Sequence, residues 1–197
     1  MTSKLSHTLS KVVLGCLALY FIYLFINVLT VVNRRHMGTS DGTYVNSTTQ
    51  NSELYKLAHS LTQACLVEEC KVQKILNYVS NIPYRINNYT AHSPQQTIQK
   101  NFGDCDDKSN LLISLLHELN IESYFVLVPE HIFVIVSLPK FSHIKALYIN
   151  QDPYYILEST AKDSLIGFPL HYTLNEIEAV IEPFENRKLQ ISTIEYK

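Results

Sequence analysis

The chain has no long run of Lys and Arg, and its formal net charge is −2. Phosphate backbones are held by clustered cations, so the sequence offers no electrostatic footprint for nucleic acid, and no nucleic-acid partner is expected. Glycine and proline are scarce, five and seven in 197 residues. With no low-complexity tract and no repeat at a fixed period, that scarcity excludes fibrous, disordered and solenoid architectures and leaves a folded globule. The length suits one domain plus an attached segment. Cysteine is sparse too, at Cys16, Cys65, Cys70 and Cys105. Four thiols, the first inside an apolar segment, do not make a dense disulfide framework. A Cys65–Cys70 bridge is not expected either, because five residues of helix turn through about 500° and the side chains diverge. Paired Cys or His at zinc spacing are missing, so neither a metal nor another cofactor is expected.

What is present begins with "VVLGCLALYFIYLFINVLTVV", Val12 to Val32, 21 residues without a charge. As a helix this run crosses the roughly 30 Å hydrocarbon layer. It reads as a single-pass transmembrane helix rather than a cleaved signal. The run exceeds the ~7–15 apolar residues of a signal core, and no clean small-residue cleavage site follows it. The lipid bilayer is therefore an expected partner and the membrane the expected location. Lys4 and Lys11 before the run nearly cancel Arg34 and Arg35 after it. A short tail ahead of a lone anchor favours a cytoplasmic amino terminus, with the domain on the periplasmic or extracellular side. The expected organisation is a tail over residues 1–11, the span over 12–32, a polar linker over 33–52 and one domain over 53–197. The triplets "NST" at Asn46 and "NYT" at Asn88 have the form of glycosylation acceptors, a pattern frequent by chance.

Within the domain, Leu54, Leu57, Leu61 and Cys65, then Val72, Ile75, Leu76 and Val79, recur at spacings of three and four and predict two amphipathic helices. The stretch "NIPYRINNYTAHSP" should interrupt helix and cross the surface until about Pro94. A third helix begins near Cys105, its stripe formed by Leu111, Leu112, Leu115, Leu116 and Leu119. Beyond it "SYFVLV", "HIFVIVSL" and "YYILE" are short, β-branched and aromatic, and read as strands; "KALYI" is either a strand or part of a loop. Thr173 and Glu176 stand at capping-box spacing before an apolar stripe ended by Pro183, which predicts one late helix. Helices first and strands afterwards, without βαβ alternation, indicate an α+β domain with an antiparallel sheet.

Cys105 sits between acids at the expected start of the third helix. Unpaired N–H groups and the positive helix end there favour thiolate, while Asp104, Asp106 and Asp107 oppose it. The same N–H groups suit an oxyanion formed when sulfur attacks a carbonyl, and Gly103 lets the backbone approach closely. His131 opens one strand and Glu158 closes another. If those strands are antiparallel neighbours, base and orienting acid adjoin and complete a Cys–His–carboxylate constellation. A "KALYI" strand inserted between them would separate the pair. His117, twelve residues along the same helix, lies about 18 Å from Cys105. His92, His143 and His171 fall in loops or at element ends, where solvated or capping roles are expected. The three aspartates lack the alternating oxygen ligands of a calcium loop and read as turn and helix-start residues. Tyr84 and Tyr89 are candidates to line a cleft. Gln99, six residues before Cys105, competes with Gln95 and Gln96 as an oxyanion donor and is not assigned.

The run "GDCDDKSNLLISLLHELNI", the strand "HIFVIV", "YYILEST" and Gly167 together resemble the transglutaminase-like superfamily of papain-like cysteine enzymes, with "NYVSNIPYRIN" similar to the segment leading into its core. The resemblance covers roughly Leu54 to Pro183. It implies a papain-like core: N-terminal helices, and a central helix that starts at the nucleophilic cysteine and packs on an antiparallel sheet. It also implies Cys105 as nucleophile, His131 as base and Glu158 as third member. Glu158 departs from the family, which more often has Asp in a "DPT"-like motif where this chain has "EST". The implied activity is that of a membrane-anchored cysteine hydrolase, a peptidase or amidase passing through a thioester and acting on a protein or peptide. Hydrolysis is the default because no long insertion supplies a lid to exclude water. The alternative is a catalytically silent module that binds peptides or envelope components through the same cleft.

Overall fold

A computed structural model describes residues 2–33, 50–87, 91–139, 143–185 and 187–197. Most of the expected linker, both triplets' Asn46 and Asn88, and Tyr89 lie outside these described residues. The chain divides into two compact units, Met1–Arg35 and His36–Lys197.

The first unit is the helix α1 (Thr2–Asn33). Its segment Leu9–Ile26 has a mean hydropathy of 2.1 and buries none of its residues within the protein. A helix of that length and apolarity serves either as a membrane span or as a signal sequence.

The second unit opens with α2 (Ser52–Thr62), capped by the Asn51 side chain, which accepts from the N–H groups of Glu53 and Leu54 at 3.0 and 2.9 Å. Next come α3 (Glu68–Ser80), α4 (Pro94–Lys100) and α5 (Cys105–His117). Leu54, Ala58, Val72, Ile75, Leu76 and Val79 fill the apolar stripes of α2 and α3 and are buried. The helix α4 was not anticipated. Its signals are local: Ser93 and Gln96 form a reciprocal capping box and Pro94 occupies the first turn.

The Cys65–Cys70 bridge, which helical geometry argued against, is present, with the two Cα atoms 5.4 Å apart. The stretch is not one helix. α2 ends at Thr62 and α3 starts at Glu68, and the turn between them brings the two cysteines face to face.

The strands are β1 (Ser123–Val128), β2 (His131–Ser137), β3 (Leu147–Ile149), β4 (Asp152–Leu157), β5 (Ala179–Glu182), β6 (Arg187–Lys188) and β7 (Ile194–Tyr196). They form one antiparallel sheet in the order β6-β5-β1-β2-β4-β3-β7. β1 and β2 are joined by Pro129 and Glu130, with Val128 opposite His131, and the positive φ of Glu130 (58°) closes the turn. The "KALYI" segment supplies β3, which pairs with the outer side of β4 through Asn150 and Gln151, both at positive φ. β2 and β4 therefore remain direct neighbours.

The expected late helix is absent. Thr173 and Glu176 do form their capping box, but it closes a single 3-10 turn, Leu174–Glu176. "AVIE" then leaves as β5, because pairing with β1 buries Ala179, Val180 and Ile181 on an edge that would otherwise stay open.

The helices cover one face of the sheet. Phe125, Leu127, Ile132, Val134, Tyr155 and Leu157 meet Leu111, Leu112, Leu115 and Leu116 there. The other face, with Val126, Phe133, Ile135 and Ile156, is covered by the return segment carrying Phe168, Leu170 and Tyr172. Coverage on both faces explains why β1 and β2 read as continuous apolar runs rather than as alternating strands. α5 lies between the sheet and the other helices, and every residue from Asp107 to Leu116 is buried. The domain is α+β, with its central helix on an antiparallel sheet.

Candidate active site

The start of α5 is fixed before its chemistry begins. Gly103 N–H donates to Pro83 O at 3.2 Å and Gly103 O accepts from Arg85 N–H at 3.1 Å, which holds the Tyr84 segment alongside. A Cβ on Gly103 would stand 2.7 Å from Asp107 Cβ, so only glycine allows this approach. Asp104 is the N-cap. Its carboxylate accepts from Asp107 N–H at 3.4 Å and from Asn87 N–H at 2.7 Å. Cys105 is thus the first helical residue, a free and partly buried thiol.

The pairing of β2 and β4 ends at Val134 opposite Leu157, so Ile132, still paired with β1 on one side, has no strand opposite it on the other. The first turn of α5 takes that place. Ile132 N–H donates to the Cys105 sulfur, and Asp106 N–H donates to it as well. One turn on, Ser109 Oγ donates to Ile132 O at 3.5 Å and lies 3.3 Å from Ser159 Oγ. Both neighbours of the vacated rung belong to the expected site: Ile132 follows His131, and Ser159 follows Glu158.

His131 and Glu158 meet, with Nε2 and Oε2 2.8 Å apart. The other carboxylate oxygen of Glu158 accepts from Thr160 N–H at 2.8 Å and from Thr160 Oγ1 at 2.5 Å, and Ser164 Oγ donates to Glu158 O at 2.6 Å. The glutamate therefore reaches the imidazole despite its extra methylene, because a backfolded loop steadies it. Burial works to raise the Glu158 carboxyl, but His131 and Thr160 outweigh it and hold the group below its ordinary value. With Nε2 committed to the carboxylate, Nδ1 is the nitrogen left for proton exchange. Among the described residues no hydrogen bond joins that imidazole to the sulfur; the link between them runs through Ile132.

The thiol is not activated by its surroundings. Burial, then the carboxylates of Asp106 and Asp104, push Cys105 up to about 12, against the two N–H donors. Asp104, Asp106 and Asp107 bring their oxygens within 4.8 Å of one another. Burial and a hydrogen bond with Asp104 push Asp106 upward in turn. Asp107 turns away toward His92, its Oδ2 lying 2.8 Å from Nδ1. That contact has ion-pair distance without the angle of a hydrogen bond. Lys100 Nζ meets His92 Nε2 at 2.8 Å, so Nε2 accepts and Nδ1 carries the hydrogen. His92 is buried, not solvated as its loop position suggested. Lys108, fully buried, donates to Ser80 O and Ile82 O at 3.1 and 2.9 Å and ties the end of α3 to α5; burial lowers it to about 8.

Sequence reasoning missed two residues beside the pair. Thr160 had a signal, a hydroxyl two residues after the acid where a local turn can form. Tyr172 had none among thirteen tyrosines. Its ring lies nearly parallel to that of His131, with centroids 6.2 Å apart and planes at 15°. Burial raises its phenol, and Glu158 and Cys105 raise it further. Tyr84, half exposed, is raised by burial and then by Cys105, Asp104, Asp106 and Glu158. Other candidates lie elsewhere. His117 packs its ring on Phe184 at 3.9 Å, His143 and His171 are exposed, and Gln95 and Gln99 line a cavity against Leu54 and Leu57 of α2.

Residues 55–132 match the sequence profile of the transglutaminase-like superfamily. Over that stretch the chain is similar to a transglutaminase-like core. The matched stretch contains Cys105 and ends just past His131, so Glu158 falls outside it. No curated protein matches the chain by sequence. Among solved structures, a proposed cysteine protease from Cytophaga hutchinsonii is similar at 19% identity and a TM-score of 0.47, over 74% of this chain and 50% of that one. A proposed protease from Parabacteroides distasonis is similar at 15% identity and a TM-score of 0.47, over 71% of this chain and 27% of that one. The chain thus spans half the length of the first and less of the second.

Proposed function

We propose that this chain is a membrane-anchored transglutaminase-like cysteine hydrolase, a peptidase or amidase. The supporting observation is the 2.8 Å contact of His131 with Glu158, placed next to the Ile132 N–H that holds the Cys105 sulfur. Because the thiol rests protonated, His131 Nδ1 takes its proton as sulfur attacks the carbonyl carbon, rather than beforehand. Glu158 accepts from Nε2–H throughout and stabilises the imidazolium. The carbonyl oxygen, now negative, is received at the Cys105 N–H on the positive end of α5. As the tetrahedral species collapses, the C–N bond breaks and His131 delivers the proton to the leaving amine. Water then attacks the thioester, giving one proton to His131, which returns it to sulfur as the acid departs. The anchor is supported by the exposed apolar α1, and an extracytoplasmic domain by the Cys65–Cys70 bridge, since such bridges persist in oxidising compartments.

The elevated thiol favours a second reading, a binding module with the same cleft and no turnover. One experiment separates the two. The full chain in detergent, treated with an electrophilic acyl probe directed at cysteine nucleophiles, should label at Cys105, and Cys105→Ala should abolish the signal. His131→Ala should lower labelling by about 10²–10⁴-fold, the usual contribution of a general base. Equal labelling of wild type and Cys105→Ala would remove the enzyme reading.

A further inference from the structure

The loop that steadies Glu158 also lines a groove of about 840 Å³ between residues 143–145 and 162–170 with Tyr196. Phe168, Pro169 and Leu170 line it, and the same three residues line a crevice that also touches Glu158 and Tyr172. One segment thus borders both the groove and the crevice beside Glu158. The floor of the groove is apolar, with Ile144, Ile166, Phe168 and Leu170. Its charges are uneven: the ammonium groups of Lys145 and Lys162 face one carboxylate, that of Asp163. Both lysines are exposed, and neither forms an ion pair among the described residues. Lys145 Nζ rests 5.4 Å from the Tyr196 ring centre, over an aromatic surface rather than against an acid.

We infer that this groove binds an acidic stretch of the peptide substrate, a carboxylate side chain at Lys145 and Lys162 beside an apolar residue on the floor. The inference rests on the hydrolase reading and gives it a substrate class. Charge complementarity selects the carboxylate, and the apolar floor selects its neighbour. The loop has two contacts with the acid, Thr160 on its carboxylate and Ser164 on its carbonyl, so a peptide seated in the groove presses on the segment that orients His131.

The test is binding to the full chain in detergent, with Cys105→Ala preventing turnover. A fluorescein-labelled octapeptide holding two glutamates around a leucine is compared, by anisotropy, with the same peptide holding glutamines. The acidic peptide should bind about five-fold more tightly at low salt, a modest factor suited to exposed charges, and the difference should close at about 1 M salt. Lys145→Glu with Lys162→Glu should remove the preference, as should the milder Lys145→Gln with Lys162→Gln. Equal affinity for the two peptides, or a preference that survives both double variants, overturns the inference. Acyl-probe labelling of wild-type Cys105 reports separately on turnover. Charge preference absent with labelling intact sinks the groove assignment alone, whereas preference present without labelling supports the groove and removes only the hydrolysis.

Discussion

Cys105 combines a helix start, which favours a thiolate, with burial and two close carboxylates, which oppose it. The opposing influences win, and the thiol rises to about 12. Since the raised group is neutral when protonated, the reactive anion is scarce at neutral pH and grows with pH. Alkylation of Cys105 by iodoacetamide, followed by peptide mass spectrometry, should accelerate about tenfold per unit over roughly pH 6–9 without a plateau. Asp104→Asn should move that curve to lower pH, because it removes a carboxylate that opposes the thiolate while leaving a side chain able to cap the helix. A flat profile across this range would instead indicate a resting thiolate–imidazolium pair and overturn the account of concerted proton transfer.

At the scale of elements, the candidate site lies where three of them meet: α5 begins where β4 leaves the ladder, and β2 begins beside both. Gly167 supports the departure of β4. Its N–H and that of Phe168 both donate to Ile156 O, at 2.9 and 3.1 Å, and its φ is +80°. A Cβ there would fall 2.0 Å from Ile144 Cγ2. Gly167→Ala should cost about 2–3 kcal/mol in denaturant unfolding, from overpacking and left-handed strain together. Adding Ile144→Ala should recover part of the loss; no change in the single variant would refute the clash. That Cys105 opens a helix, His131 opens a strand and Glu158 follows one was legible, because helix start, strand start and strand end are local signals. What was not legible was tertiary. The capping box at Thr173 reads as a helix until β1 offers an open edge, and the Cys65–Cys70 turn looks helical until the break after Thr62 is known. His92 lies in a polar loop whose burial is decided by Asp107, fifteen positions away.

For the whole molecule, the anchoring proposal and the bridge make a joint prediction. In fractionated cells the full-length chain should stay with membranes through alkaline carbonate and come free in detergent. In the denatured chain, maleimide should modify Cys16 and Cys105 directly, and Cys65 and Cys70 only after reduction. Release of a shortened chain that lacks Cys16 would show α1 to be a removed signal and sink the anchor. One further consequence follows from the rung that β2 yields to α5. The sulfur is gripped by the main chain of position 132, not by its side chain, so swapping one aliphatic group for another there should leave the nucleophile aligned. Adding or deleting a single residue in the Pro129–Glu130 corner is a different kind of change: it exchanges inward for outward along all of β2, carrying His131 off Glu158 and the donor off the sulfur in one slip.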